Sequence, residues 1–214
     1  MKKRFIGVYD YTVILTYTGL LIAVAGIIFA GHKRMLAAVF CLCGASFCDM
    51  FDGKIASTKK DRTETEKLFG MQIDSLCDIV SFGVLPCVMF ANLGRSSLFF
   101  YLTLAYYGLC SLIRLGYFNV LEIQRAQTPG EEFSVYHGLP VIAIAVLFPC
   151  LYTLHSLIPT AVLQWLYCLL YLILGTLYIL DFPVKKPGKR ALCVLSSVVG
   201  AALLILVLTS DWRI

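Results

Sequence analysis

The chain has 214 residues, of which 59% are hydrophobic and only 14% are charged, and its mean hydropathy is +0.83. A soluble globular domain has about 45–50% apolar and about 25% charged residues, so the composition excludes that class of protein. The 18 Lys and Arg residues against 13 Asp and Glu give a net charge of +5, which in a membrane protein matters mainly through where the cations lie.

Long apolar segments, separated by charged or proline-containing breaks, follow one another along the chain. A membrane-spanning helix needs about 20 mostly apolar residues, so this pattern predicts an all-α, polytopic membrane helical bundle. The second segment is short for a span and contains Asp49, and we therefore expect its helix to continue beyond the hydrocarbon core. The seven predicted spans are Tyr11–Ala30, Met35–Phe51, Met71–Leu93, Ser97–Leu121, Gly138–Leu154, Thr160–Leu180 and Leu192–Thr209.

The basic residues lie mostly on one side of these predicted spans. With the N-terminus inside, fourteen of the eighteen Lys and Arg residues fall in cytoplasmic segments and four on the opposite side. Because cytoplasmic loops are enriched in Lys and Arg, this bias predicts an internal N-terminus and, after seven spans, an external C-terminus. The two sizeable hydrophilic connections, Lys54–Gly70 and Gln124–His137, are both predicted to be cytoplasmic.

Two pairs of aspartates lie next to consecutive spans, where charge is costly. Asp49 and Asp52 end the second span, and Asp74 and Asp78 open the third. Spacings of three and four residues place each pair on one helical face, and the connecting loop folds the two helix ends back together. Four carboxylates at one depth repel unless cations or protons offset them, and oxygen ligands alone favour a hard ion such as Mg²⁺ or Mn²⁺.

The alternative is that these are ordinary helix-end carboxylates in water, with Asp74 and Asp78 favoured by a helix N-terminus. That explanation suits one pair. Two pairs on consecutive spans, with Gly53 directly after the first, favour a metal site instead, since glycine lets a ligand approach the backbone closely.

These residues resemble the motif of the CDP-alcohol phosphatidyltransferase family. The resemblance extends from about Asp10 to Pro183 and departs from the family twice. Ser57 stands where the family has Arg, and the stretch from Ala56 to Gly70 is longer than usual and rich in Lys and Arg. The matching residues are Asp49-x-x-Asp52-Gly53-x-x-Ala56 and Gly70-x-x-x-Asp74-x-x-x-Asp78.

The resemblance implies a six-helix membrane domain over residues 1–183, followed by a basic loop and an extra C-terminal transmembrane helix over residues 184–214. It implies displacement at phosphorus, in which an alcohol attacks the phosphate that bears diacylglycerol and CMP leaves. Asp49, Asp52 and Asp74 would be metal ligands for Mg²⁺ or Mn²⁺, expected as two ions. Asp78 would be the general base, with a share in metal binding.

The resemblance also implies the binding partners. CDP-diacylglycerol would lie against the motif and its basic loop, where a loop cation would replace the guanidinium missing at position 57. We expect an integral protein of the cell membrane, with its active site on the cytoplasmic side, a homodimeric assembly and no nucleic-acid partner. The residues expected to bind CDP-diacylglycerol are Gly53, Ala56, Ser57, Lys59, Arg62 and Gly70.

Two further segments resemble the phosphatidylserine synthases of that family, namely Asp74–Pro86 and Arg114–Asn119, although Tyr117 stands where a basic residue is common. They imply L-serine as the acceptor, with its carboxylate held by Arg114 and with Asn119 one or two turns further along. The alternative for Arg114 is a side chain that extends to the membrane surface and anchors the helix end.

Two other functions remain open at this point. The same chemistry with glycerol 3-phosphate or an inositol phosphate would need clustered cations beside the acids, and the Lys and Arg residues of Lys54–Gly70 are compatible with that. A transporter of divalent cations or anionic metabolites would also use intramembrane acids. Transporters place their sites near the bilayer midplane on repeated, broken helices, whereas these acids lie at one membrane edge.

Overall fold

The chain folds as a helical bundle in a computed structural model that describes residues 6–93, 97–127, 135–185 and 188–209. Two short strands and two 3₁₀ turns, Val141–Ala143 and Thr153–Ser156, join its helices. The α-helices in the described ranges are α1 (Tyr11–Gly31), α2 (Met35–Ala56), α3 (Glu64–Asp78), α4 (Leu85–Ala91), α5 (Leu98–Gln127), α6 (Ile144–Tyr152), α7 (Thr160–Ile179) and α8 (Lys189–Thr209).

Five described helices are long and apolar enough to cross a membrane, namely α1, α2, the continuous helix Glu64–Ala91, the greater part of α5, and α7. The polytopic helical bundle is thereby confirmed. The fifth and seventh predicted spans correspond to shorter apolar helices, Val141–Ser156 and Val194–Thr209, so membrane crossing by these two stays a prediction, as does the external C-terminus.

Helices α1 and α2 pack antiparallel along a line of small residues. The buried face of α1 includes Gly19 and Gly26. A Cβ atom at Gly19 would lie 3.2 Å from that of Cys48, and one at Gly26 would lie 2.8 Å from that of Cys41. Small side chains let two helices approach closely inside a membrane. The same register places the first turns of α1 beside the last turns of α2.

Helix α3 begins earlier than hydropathy predicts, at Glu64 instead of Met71. Thr63 and Glu66 form a capping box, in which the Glu66 N–H donates to the Thr63 hydroxyl at 3.2 Å and the Thr63 N–H donates to the Glu66 carboxylate at 2.9 Å. These bonds satisfy N–H groups that a helix end leaves unpaired. The predicted loop Lys54–Gly70 is therefore reduced to a turn over residues 57–63, and α2 continues to Ala56, as predicted from Asp49.

A π-helical turn, Ile79–Val84, joins α3 to α4 directly after Asp78. Pro86 has no N–H, so Phe82 loses the donor that an α-helix would give its carbonyl. The Tyr107 hydroxyl of α5 donates to that carbonyl at 2.7 Å, and the Tyr171 hydroxyl of α7 donates to the Pro86 carbonyl at 2.5 Å. Two buried tyrosines thus support the irregular segment that follows the acidic residues.

The strands β1 (Val135–His137) and β2 (Pro183–Lys185) form a small antiparallel pair. Gly138 follows β1 with a φ of +74°, and a Cβ atom there would lie 3.0 Å from the Leu180 carbonyl oxygen. Both the positive φ and the lack of space favour glycine. This turn brings the backbone of Leu139 to the inner face of α5, beside Arg114.

Candidate active site at the ends of α2 and α3

Three carboxylates converge where α2 ends and α3 passes beside it. Asp49, Asp74 and Asp78 each offer an oxygen atom, and these atoms all lie within 4.8 Å of one another. The carboxyl groups of Asp49 and Asp78 lie close enough to interact directly, as do those of Asp52 and Asp74. The four acids therefore meet at one depth of the bundle, as their spacing predicts.

The donor set fits a hard divalent cation. Oδ1 of Asp74 is buried and has no hydrogen-bond donor among the described residues. A buried acceptor that lacks a donor is costly, and a cation bound by the surrounding carboxylates would remove that cost. All these ligands are oxygens, and the described group contains neither His nor Cys, which favours Mg²⁺, Mn²⁺ or Ca²⁺ over a softer metal.

Asp52 is the least exposed of the four, with 7% of its surface accessible. Its Oδ2 accepts a hydrogen bond of 2.8 Å from the hydroxyl of Thr16 on α1. Reasoning from the sequence did not identify Thr16. The available signal was its place on the small-residue face of α1, which also carries Gly19 and Gly26.

The face of α2 that carries the first two acids continues to Gly53 and Ala56, since residues three, four and seven positions apart share a helical face. Gly53 is exposed, and a Cβ atom there would meet nothing within 4 Å. The structure thus leaves open space beside the acids at Gly53, where the sequence predicts the nucleotide.

An ion-pair network ties α1 to the turn between α2 and α3. The Lys59 ammonium donates to Asp10 at 2.8 Å and to Glu66 at 3.1 Å. Hydrogen bonds from Lys59 and then from Thr12 lower the pKa of Asp10 to about 2, and the same Asp10 contact raises the pKa of Lys59. Both groups therefore stay ionised at neutral pH, and Lys59 holds the turn in place.

The turn places a different cation, Arg62, beside the acidic face of α3. Nη2 of Arg62 donates to the Glu66 carbonyl at 3.0 Å, and a Cβ atom at Gly70 would lie only 2.5 Å from Nη2. Gly70 lies one helical turn before Asp74 on the same face. Nε of Arg62 is buried and has no hydrogen-bond acceptor among the described residues.

Ser57, at the position where the family has Arg, carries no charge and ends α2. Its hydroxyl donates to the Lys54 carbonyl at 2.7 Å, so the side chain satisfies one of the carbonyls that a helix end leaves unpaired. Position 57 is exposed. Arg62 is thus the guanidinium that the structure places on the acidic face.

Arg114 and Asn119 lie on different sides of α5. Arg114 is only 6% exposed. Its Nε donates to the Leu139 carbonyl at 3.3 Å, and its guanidinium lies 5.7 Å from the ring centre of Phe118. This burial does not match the alternative of a side chain that extends to the membrane surface.

Asn119 faces α3 instead. Its Oδ1 accepts a hydrogen bond of 2.7 Å from the hydroxyl of Ser75, and its Nδ2 donates to Gln72 at 3.3 Å. Because Ser75 follows Asp74 directly, Asn119 links α5 to the part of α3 that carries the acids.

Fold and site together define a polytopic membrane protein with a cluster of carboxylates between two consecutive spans, where the first of them ends. The sequence profile of the CDP-alcohol phosphatidyltransferase family matches residues 12–177. The chain belongs to this family, and the resemblance seen in its motif is confirmed.

Curated relatives carry one name, CDP-diacylglycerol–serine O-phosphatidyltransferase. The protein of that name from Saccharomyces cerevisiae is 35% identical over 51% of this chain and 38% of its own length. That from Methanocaldococcus jannaschii is 30% identical over 68% of this chain and 60% of its own length. That from Helicobacter pylori strain J99 is 26% identical over 65% of this chain and 55% of its own length. The matched region is thus less than two thirds of each relative.

Proposed function

We propose that the protein transfers a phosphatidyl group from CDP-diacylglycerol to L-serine, giving phosphatidylserine and CMP. The observation that carries the proposal is the convergence of Asp49, Asp74 and Asp78 within 4.8 Å at the positions of the family motif. The names of the relatives support serine as the acceptor. In this reaction the serine hydroxyl oxygen forms a bond to the phosphorus that bears diacylglycerol, and the bond from that phosphorus to the CMP oxygen breaks.

Asp49, Asp52, Asp74 and Asp78 would hold two Mg²⁺ or Mn²⁺ ions. Bound there, the ions would neutralise the charge of the diphosphate and of the departing CMP. Asp78 would accept the proton of the serine hydroxyl, because a general base must lie within hydrogen-bonding reach of the group that it deprotonates. The carboxyl contact between Asp49 and Asp78 supports an Asp78 oriented into the cluster.

The nucleotide end of CDP-diacylglycerol would lie over the face of α2 at Gly53 and Ala56 and over Gly70 of α3. Arg62 would supply the guanidinium for the diphosphate in place of the family Arg. Two observations support this role of Arg62: its Nη2 lies over Gly70, and its buried Nε has no acceptor among the residues that the structure describes. Ser57 and Lys59 would contribute by shaping the turn, since Lys59 is already held between Asp10 and Glu66.

Arg114 would bind the serine carboxylate, and the support for this role is its position inside the bundle, where it is held beside the Leu139 carbonyl. Asn119 would act from the opposite side of α5, through Ser75. The protein would be a homodimer in the cell membrane, with its active site on the cytoplasmic side. Residues 1–183 would form the catalytic domain, and a separate last helix would follow it.

The deciding experiment is CMP release by the purified protein in lipid nanodiscs. CDP-diacylglycerol labelled in its cytidine would be supplied with serine, glycerol 3-phosphate, an inositol phosphate or no alcohol. Each would be measured with Mg²⁺, Mn²⁺ or excess EDTA. We expect release with serine alone, and none with EDTA.

The product of the serine reaction would be identified by mass spectrometry of the extracted lipid. Release of CMP with glycerol 3-phosphate and not with serine would refute serine as the acceptor, while transfer of the phosphatidyl group would remain supported. Full turnover in excess EDTA would refute the proposed requirement for bound metal ions.

A further inference from the structure

The hydroxyl of Thr16 bonds to a distant side chain, unlike those of four other helical threonines in the described residues. In a helix, a threonine hydroxyl commonly bonds to the carbonyl four residues earlier. Thr18, Thr103, Thr176 and Thr209 all do so, at 2.8–3.0 Å. Thr16, which is 7% exposed, donates instead to Oδ2 of Asp52, 36 residues away.

The packing of α1 against α2 makes this contact possible. Gly19 approaches Cys48, and Gly26 approaches Cys41. The antiparallel register set by these pairs brings Thr16 opposite Asp52, one turn beyond the contact of Gly19 with Cys48. A longer side chain at position 19 would separate the two helices at this end, so the small residues and the hydrogen bond depend on each other.

The bond occupies one of the acceptor positions of the Asp52 carboxylate, on Oδ2. Oδ2 accepts from a neutral donor, and the same carboxyl group also contacts Asp74. Oδ1 of Asp74 is buried and has no donor in the described part of the chain. A hydroxyl that bonds one carboxylate oxygen restricts rotation of the group, and Oδ1 of Asp52 keeps its lone pairs for another partner. Residues around metal ligands commonly orient them in this way.

We infer that Thr16 is a positioning residue of the active site, which orients Asp52 for metal binding from a helix that carries none of the four acids. The assignment rests on the proposed metal-dependent function. It adds α1 to the machinery of the site, although the family motif in this chain lies entirely on α2 and α3.

The test is direct titration of purified protein with Mn²⁺, in which electron paramagnetic resonance measures the free ion. Thr16→Val removes the hydroxyl at nearly constant size, and Thr16→Ser keeps the hydroxyl. Thr16→Ala removes the hydroxyl without adding an apolar group, so a loss seen with both Val and Ala is not caused by crowding at the helix interface. Thr18→Val is the matched control, because it makes the same chemical change on the exposed face of the same helix. We expect Thr16→Val and Thr16→Ala to weaken Mn²⁺ binding about ten- to hundredfold, the usual effect of removing a group that orients a metal ligand. Thr16→Ser and Thr18→Val should bind as wild type does.

A second measurement separates positioning from general loosening of the helix pair. The Mn²⁺ concentration that gives half-maximal CMP release should rise with Thr16→Val, while the KM for serine stays constant. In an Asp52→Asn background, Thr16→Val should cause no further loss of Mn²⁺ binding.

Wild-type Mn²⁺ binding in both Thr16→Val and Thr16→Ala would overturn the inference, and so would equal losses with Thr16→Ser or Thr18→Val. A wild-type protein that binds Mn²⁺ but does not use serine would refute the proposed acceptor and leave the role of Thr16 supported by the titration. A wild-type protein that binds no Mn²⁺ would refute both.

Discussion

A methyl group at position 70 provides a sharp test of how this chain compensates for Ser57. In Gly70→Ala, the new Cβ atom would lie 2.5 Å from Nη2 of Arg62, whereas ordinary contacts between heavy atoms are about 3.5–4.0 Å. The end of an arginine side chain is flexible, so we expect the guanidinium to move away from α3 and lose its hydrogen bond to the Glu66 carbonyl.

The expected effect on stability is small because two contributions oppose each other. Replacing glycine by alanine inside a helix stabilises it by about 0.5–1 kcal/mol. Losing the bond from Arg62 to the Glu66 carbonyl costs about 0.5–1.5 kcal/mol, since this bond is only partly buried and water can replace the carbonyl. Binding of the diphosphate should suffer more, since a charge-assisted hydrogen bond contributes about 1.5–3 kcal/mol, or about ten- to hundredfold in the KM for CDP-diacylglycerol.

The assay is CMP release at varied CDP-diacylglycerol, with thermal unfolding measured in parallel, for Gly70→Ala, Arg62→Ala and the double variant. Gly108→Ala is the control for helix propensity, since Gly108 lies inside α5 and a Cβ atom there would meet nothing within 4 Å. If Gly70→Ala acts only by displacing Arg62, it should cause no further loss once Arg62 is Ala, because the two changes share one contact.

Additive losses in the double variant would show that the methyl group obstructs the nucleotide directly and that Arg62 is not the mediator. An unchanged KM in Arg62→Ala would refute the role of Arg62 altogether. A large fall in the unfolding temperature of Gly70→Ala would refute the expected balance of stabilities.

Three further changes test other parts of the site. Asp78→Asn should abolish CMP release while binding of CDP-diacylglycerol, measured with the labelled lipid, is largely kept, because an amide cannot accept the serine proton; near-normal turnover would exclude Asp78 as the base. Arg114→Lys should raise the KM for serine much more than that for CDP-diacylglycerol, since Lys lacks the planar fork that grips both carboxylate oxygens; the opposite pattern would remove the serine assignment. Tyr107→Phe leaves the Phe82 carbonyl without its 2.7 Å donor and should lower the free energy of unfolding by about 1–3 kcal/mol, measured by denaturant titration; unchanged stability would contradict our account of the π-helical turn.

The sequence alone predicted the features that depend on neighbours within one helix. Runs of apolar residues predicted the spanning helices, and spacings of three and four residues predicted that each pair of aspartates shares a face, because helical periodicity is a local property of the chain. The start of α3 was also a local property, encoded by Thr63 and Glu66. Hydropathy placed the span seven residues too late because the first turn of the helix, Glu64–Lys67, is polar.

The tertiary structure decided which faces meet. Thr16 reaches Asp52 only because Gly19 and Gly26 let α1 approach α2, and Arg62 lies over Gly70 only because Lys59 and the capping box shape the turn before it. Asn119 accepts a hydrogen bond from Ser75 on α3, although in sequence it is near Arg114. Such contacts join residues far apart in the chain, and they depend on how closely whole helices pack, which the residue pattern of a single helix does not contain.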